Sequence, residues 1–326
     1  MSLVVDTITK RFGPVLALDG ASFTAEPGRI FGLLGANGAG KTTCMRIVLD
    51  ILRADSGSVT WHGRTNRDLP RRTWGYLPEE RGLYTKMRVI DVLRFFASLY
   101  GVAPARATAR VEEWLERFRV PDYRDRKVEE LSKGNQQKIQ FIAAILHDPD
   151  VLIMDEPFTG LDPVNVGLLK EAFLAMRDAG KTLIFSTHQM ETVEELCESI
   201  AILDGGRVVV SGTVRDVKRA MGRRVVRLAL DGDGEADGGM VAAEAGWVTE
   251  LPGVRLAQPG LATSEFSVAD VTGPARILDA AMARGARVTH FEIADPSLEE
   301  VFIEHVGRRA VDEREHHLAG TAGPDR

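Results

Sequence analysis

Short apolar runs alternate with stretches of helical periodicity through the first two thirds of the chain. "RIFGLLG" is an apolar run ending at Gly35, and "KTTCMRIVLDIL" after it carries apolar residues at helical spacing. "VLIMDEP" and "TLIFSTH" are continuous apolar runs of the kind buried on both faces of a parallel sheet. Such alternation predicts an α/β fold with a largely parallel sheet. "SIAILDGGRVVVSG" reads as two strands joined through Asp-Gly-Gly, a hairpin signal.

From about Met87 to Phe118 the pattern is different. "MRVIDVLRFFASLYG" and "ATARVEEWLERF" are amphipathic helices with no strand between them, so an all-helical insertion interrupts the sheet. "LSKGN", Leu131 to Asn135, precedes a further helical run, "QQKIQFIAAILHDP". Beyond about Arg215, "RRVVRLAL" and "SEFSVADV" read as exposed-edge strands, "DGDGEADGG" as a flexible loop and "GPARILDAAMARGA" as a helix. The expected organisation is a first domain over residues 1–215 with a helical subdomain at about 87–150, a C-terminal accessory α/β domain over 216–307, and a flexible polar tail over 308–326.

Composition narrows the classes. With 326 residues, 44% hydrophobic and 27% charged, the chain is an ordinary globular protein of about two domains. A net charge of -6 argues against nonspecific nucleic-acid binding, so no nucleic-acid partner is expected. Cys44 and Cys197 stand in no metal-like or redox spacing and read as reduced thiols. No apolar run approaches the ~20 residues that span a bilayer, and no signal-peptide pattern opens the sequence. The expectation is a soluble protein that meets a membrane only through a partner.

The sharpest chemistry lies in "GANGAGKT": Gly35, Ala36, Asn37, Gly38, Ala39, Gly40, Lys41 and Thr42 match the G-x-x-x-x-G-K-[ST] loop, after a strand and opening a helix. Glycines at 35, 38 and 40 permit backbone angles that turn successive N–H groups toward phosphate oxygens, and the helix N-terminus adds partial positive charge. Lys41 is placed to reach the β- and γ-phosphates, the Thr42 hydroxyl to ligate Mg²⁺, and Thr43 to bond the α-phosphate. A bound nucleoside triphosphate with Mg²⁺ follows.

Asp155 and Glu156 close "VLIMDEP". Strand alternation sends them to opposite sides, which assigns Asp155 to hydrated Mg²⁺ and Glu156 to the attacking water as general base. The alternative is a solvated turn with two acids before proline. His188, ending "TLIFSTH" at a strand's C-terminal end, is either a ligand of the γ-phosphate that orients the water of Glu156 or a structural histidine.

These elements in this order, together with "TGLD" at Thr159 to Asp162, resemble the nucleotide-binding subunit of an ATP-binding cassette (ABC) transporter over roughly Leu3 to Gly212. The resemblance implies a P-loop NTPase cassette with a mostly parallel core sheet, an antiparallel β subdomain and a helical subdomain, here with a C-terminal extension. It implies an ATPase with ATP and Mg²⁺ as cofactors. It also implies a second nucleotide-binding subunit, identical or not, in a head-to-tail dimer that sandwiches each ATP between the phosphate loop of one subunit and the signature loop of the other. By the same resemblance Phe12 stacks on adenine, or else is a core residue, and Asp162 joins the nucleotide site. Glu79, in "GYLPEERGLY", replaces a glutamine and supplies a carboxylate to Mg²⁺. A separate transmembrane permease is implied, with the subunit peripheral on the cytoplasmic face of the membrane and "RGLYTKM" and the helical insertion touching the permease.

"LSKGN" stands where the family has Leu-Ser-Gly-Gly-Gln. Ser132 suits a helix cap worth ~1 kcal/mol, and the resemblance gives Ser132 and Gly134 a second role at a partner's γ-phosphate. Lys133 in the first helical turn opposes the dipole at a cost of about 0.3–1 kcal/mol; a facing triphosphate reverses the sign. Asn135 keeps the amide of glutamine with a shorter reach. "FEIADPSLEEVFIEHVG", Phe291 to Gly307, and the pairing of "PEERGLY" with "LSKGNQQK" resemble the sodium- and drug-efflux type, which implies export. The competing readings are a non-transport ABC ATPase, which typically shows two cassettes or a long coiled-coil insertion, and a regulatory cassette dependent on another partner.

Overall fold

In the computed structural model, residues 2–231, 246–258, 263–270 and 272–306 are described. The chain divides into two compact units, Met1–Val214 and Arg215–Arg326. The first opens with the antiparallel strands β1 (Leu3–Phe12) and β2 (Val15–Ala25), then β3 (Ile30–Leu34), helix α1 (Lys41–Val48), β4 (Ser56–Trp61), β5 (Arg64–Thr65) and β6 (Trp74–Leu77). Helices α2 (Val89–Leu99), α3 (Pro104–Arg117) and α4 (Lys133–Ile145) follow with no strand among them. The chain then alternates through β7 (Val151–Asp155), α5 (Pro163–Asp178), β8 (Thr182–Thr187), α6 (Met190–Leu196), β9 (Ser199–Asp204) and β10 (Arg207–Thr213).

Six strands form the central sheet in the order β10-β9-β3-β8-β7-β6, parallel except where β10 returns against β9. The continuous apolar runs are its middle: β3, β7 and β8 are buried along their whole length. The return is the predicted hairpin, with Gly205 and Gly206 at φ +51° and +79°, which glycine adopts without steric cost. A second sheet, β2-β1-β4-β5, is antiparallel. Its strands alternate burial only partly and β1 carries register shifts, which hides it from the hydrophobic pattern.

The helix expected over "KTTCMRIVLDIL" stops at Val48. Asp50 takes a left-handed φ of +53°, and the Ile51 and Leu52 N–H groups both donate to Arg46 O. Leu49 and Leu52 still pack against the core, so the apolar spacing outlasts the helical backbone. From the helical insertion to the sheet, ring contacts join Phe118 to Phe141 (5.6 Å), Phe141 to Phe173 (5.8 Å) and Phe173 to Phe185 (5.9 Å). This aromatic chain fixes α4 and α5 against β8.

The second unit is an antiparallel sheet ordered β12-β13-β11-β14, from β11 (Arg224–Asp231), β12 (Val254–Gln258), β13 (Ser264–Val268) and β14 (Arg287–Ala294). The expectation that "RRVVRLAL" and "SEFSVADV" are edge strands is corrected: they are β11 and β13, the inner pair, and the edges are β12 and β14. Alternation reports which face a strand buries and says nothing of its lateral neighbours. Val226, Leu228, Phe266 and Val268 pack with Ile277 of the helix Gly273–Ala283, and residues 298–306 are helical. Nearly all of the "DGDGEADGG" loop and all of the tail over 308–326 lie outside the described residues. Among the described residues no helix is long and apolar enough to cross a membrane.

Candidate functional site

The loop between β3 and α1 is squeezed between neighbouring backbone segments. A Cβ on Gly40, at φ +107°, would stand 2.6 Å from Ala17 O, and one on Gly35 would stand 2.5 Å from Leu203 O. Both approaches require glycine. Gly40 is also the cap position of α1 and brings no side-chain acceptor, an arrangement that leaves a helix N-terminus able to receive an anion. Lys41 is buried and its Nζ donates to Gly35 O (2.8 Å) and Ala36 O (3.2 Å), holding the ammonium across the loop.

The carboxylates converge on this loop from the sheet. Asp155 ends β7 and is 2% exposed; its Oδ2 accepts from the Thr42 hydroxyl at 2.6 Å and its Oδ1 from the Ser186 hydroxyl at 2.5 Å. Glu156 lies one residue past the strand with φ +47°, its N–H donating to Ser186 O (3.2 Å) and Ser186 Oγ (3.1 Å). Glu156 Oε1 is 3.1 Å from His188 Nδ1, and the His188 side chain is otherwise more than half exposed. The expectation that alternation points the two acids to opposite sides is corrected, because Glu156 is outside the strand and its left-handed backbone turns it into the same cleft. That cleft, ≈ 390 Å³, is lined by Asn37, Gly38, Gly40, Lys41, Thr42 and Thr43 together with Glu79, Asp155 and Glu156.

Val15, Leu16 and Ala17 form another wall of the cleft. Phe12, just before them, is 47% exposed at the end of β1, with the Lys10 ammonium 5.6 Å from its ring centroid. It is therefore no core residue. Glu79 is exposed on a loop pinned by α4: Gln140 Nε2 donates to Pro78 O (3.1 Å) and Glu80 O (3.0 Å). Thr42 and Asp155 already touch and Glu79 shares their cleft, so the donor set is hard oxygen and fits Mg²⁺. Among the described residues no three or more His, Cys, Asp or Glu side chains group as a protein-only cage.

A second group of candidates stands outside the cleft. Ser132 caps α4, its hydroxyl accepting from Asn135 N–H at 3.3 Å, and Lys133 is the exposed first residue of that helix. A Cβ on Gly134 would meet only Asn165 Nδ2 at 3.4 Å and Leu161 Cδ2 at 3.6 Å. Asp162 caps α5 through Val164 N–H and Asn165 N–H, both at 3.1 Å, and these donors, the Asn165 N–H first, hold its carboxyl below the usual range. Asn135 Nδ2 donates to Tyr123 OH at 3.2 Å, which engages its amide within the same chain.

Sequence reasoning missed Ser186, Gln140 and the walls at 15–17 and 205–206. Ser186 did carry a signal, a hydroxyl inside an apolar buried run. The others are backbone and loop contacts that only folding creates.

A family described as "ABC transporter" matches residues 18–159, and one described as "ATP-binding protein DrrA1-3-like, C-terminal domain" matches residues 212–306. The chain is 44% identical over 308 residues to an uncharacterized ABC transporter ATP-binding protein of Bacillus subtilis, covering 94% of this chain and 98% of that one. It is 37% identical over 211 residues to Nod factor export ATP-binding protein I of Burkholderia thailandensis, covering 64% of this chain and 69% of the relative. A solved structure described as the ATP binding subunit of an ABC transporter superposes with TM-score 0.64 at 32% identity, covering 68% of this chain and 94% of that chain.

Proposed function

This chain belongs to the ABC transporter family, as an ATP-binding subunit that hydrolyses ATP to power a transporter, and on that premise we propose how its residues divide the work. The triphosphate rests on the loop from Gly35 to Thr43, with Lys41 reaching its β- and γ-phosphates and the adenine on Phe12. Thr42 and Asp155, with Glu79 beside them, would hold Mg²⁺, which would supply positive charge to offset that of the phosphates. Glu156 takes the proton of the attacking water, and His188 holds the Glu156 carboxylate in place. The observation that carries this reading is the 2.6 Å contact between Thr42 and Asp155 in a cleft shared with Lys41 and Glu156.

The group around Ser132, Lys133, Gly134 and Asp162 serves a second nucleotide-binding subunit, in a homodimer or a heterodimer, because it stands away from the cleft of its own chain. A transmembrane permease forms the transport path and holds this subunit at the cytoplasmic face. On α2, Phe95 stacks edge-on with Tyr84 at 5.5 Å and Leu99 is exposed, which offers that permease an apolar contact. A relative named for Nod factor export favours export.

The test is phosphate release and MgATP affinity for the unmodified protein, Asp155→Asn and Glu156→Gln. Loss of metal-dependent affinity in the first variant and of turnover alone in the second is expected; unchanged turnover in Glu156→Gln rejects that residue as the base. Copurification with the membrane protein encoded beside this chain, followed by assay of ATPase stimulation by candidate cargo, tests the transport role.

A further inference from the structure

Behind the cleft, the Ser186 hydroxyl touches both carboxylate-bearing residues at once. Ser186 lies on β8, directly paired with Asp155 of β7, and is 0% exposed. A buried hydroxyl is costly unless it is hydrogen-bonded, and here both of its capacities are used. The O–H donates to Asp155 Oδ1 at 2.5 Å, and the same oxygen accepts the Glu156 N–H at 3.1 Å. With Oδ1 engaged by Ser186, the other oxygen of Asp155, Oδ2, is the one aimed at Thr42, 2.6 Å from its hydroxyl. The Glu156 backbone stands at φ +47°, a conformation that non-glycine residues seldom adopt, and Ser186 ties it there through both Oγ and the main-chain carbonyl.

We infer that Ser186 is a positioning residue that sets two parts of the site together: it orients the carboxylate of Asp155 toward the cation position and holds Glu156 in the turn from which it meets the water. The inference rests on the assignment of Asp155 to Mg²⁺ made above. Through one hydroxyl, a change in the metal half of the site is felt in the base half. The merely structural alternative is that Ser186 only satisfies strand ends. That alternative predicts lower stability with no selective effect on the metal.

The experiment titrates ATP into the full chain in EDTA and in Mg²⁺, with Mn²⁺ binding followed by electron paramagnetic resonance, for the unmodified protein, Asp155→Asn, Ser186→Ala and Ser186→Cys. Cysteine keeps the side chain in place but donates weakly, so it serves if alanine does not fold. In either folded Ser186 variant the gain in ATP affinity conferred by metal is expected to fall about tenfold, as for loss of a group that orients a metal ligand. Affinity in EDTA should stay within about twofold, since the phosphate loop is untouched. A parent-like metal gain and parent-like Mn²⁺ affinity in a folded Ser186 variant, with Asp155→Asn having lost them, overturns the role of Ser186. A parent-like metal gain in Asp155→Asn overturns the underlying assignment, and the role of Ser186 with it.

Discussion

His188 Nδ1 stands 3.1 Å from Glu156 Oε1, a contact made by two residues that each lie just beyond the end of a parallel strand. Strands β7 and β8 are adjacent and in register from Val151 opposite Thr182 to Asp155 opposite Ser186. Sheet register, together with the turn at Glu156, brings a carboxylate and an imidazole separated by 32 positions into one pair.

Glu156→Gln preserves size and the left-handed turn while removing the basic oxygen. Phosphate release should fall by about 10²–10⁴-fold, the usual worth of a positioned base, while ATP affinity stays near that of the parent. Size-exclusion chromatography with MgATP should then show an accumulated dimer. A monomer under all nucleotide conditions argues against the sandwich.

His188→Ala removes the side chain that braces Glu156 Oε1. Turnover should fall more than nucleotide affinity, because the phosphate loop keeps its own contacts through Lys41. Single-turnover kinetics beside equilibrium ATP binding separates the two, and an equal loss in both would place His188 in ground-state binding.

Lys133 is exposed at the first position of α4, where a cation opposes the helix dipole. Lys133→Ala should weaken ATP-driven dimerisation of a Glu156→Gln protein more than it weakens ATP binding to the monomer. Equal losses in nucleotide titration and in sizing would remove the charge from the interface.

Gly40→Ala forces a Cβ to 2.6 Å from Ala17 O at a φ of +107°. Backbone strain of this kind costs about 1–3 kcal/mol, so the melting temperature should drop by several degrees and ATP should no longer stabilise the protein. Thermal melts with and without MgATP read both effects. Gly38, at φ +82° with nothing near its Cβ position, should lose less stability when changed to alanine.

His147 gives a pH dependence away from the cleft. Its Nε2 bonds Trp74 O at 2.9 Å and its ring stacks on Tyr100 at 3.7 Å. Burial pushes its folded pKa below the ordinary 6.5. The unfolded chain therefore binds a proton the folded chain refuses, so this contribution to stability is present above the unfolded pKa and is lost as pH falls through it toward the depressed folded value. Urea midpoints measured from about pH 7.5 down to about pH 5 should fall more steeply in the parent than in His147→Gln. Parallel slopes would remove His147 as the source.

Much of this was legible in the chain. The loop from Gly35 to Thr42 is local in sequence, eight consecutive positions between β3 and α1, so spacing alone was enough to propose it as the phosphate site. The buried runs at β3, β7 and β8 declared themselves because a strand covered on both faces has no polar side to interrupt it. The helical insertion and the Asp-Gly-Gly hairpin were readable for the same reason: period and turn chemistry are properties of neighbours along the chain.

Tertiary structure alone decided what depends on positions far apart. Glu156 enters the cleft through a turn that strand alternation could not foresee, Ser186 becomes the partner of Asp155 only through sheet register, and Asn135 is engaged by Tyr123 across the helical insertion. Which strands of the second unit are inner was likewise a matter of pairing partners, not of pattern. A sequence encodes the period of each element and the chemistry of each side chain, whereas register, lateral order and the final direction of a hydrogen bond are fixed by packing among segments that the sequence keeps apart.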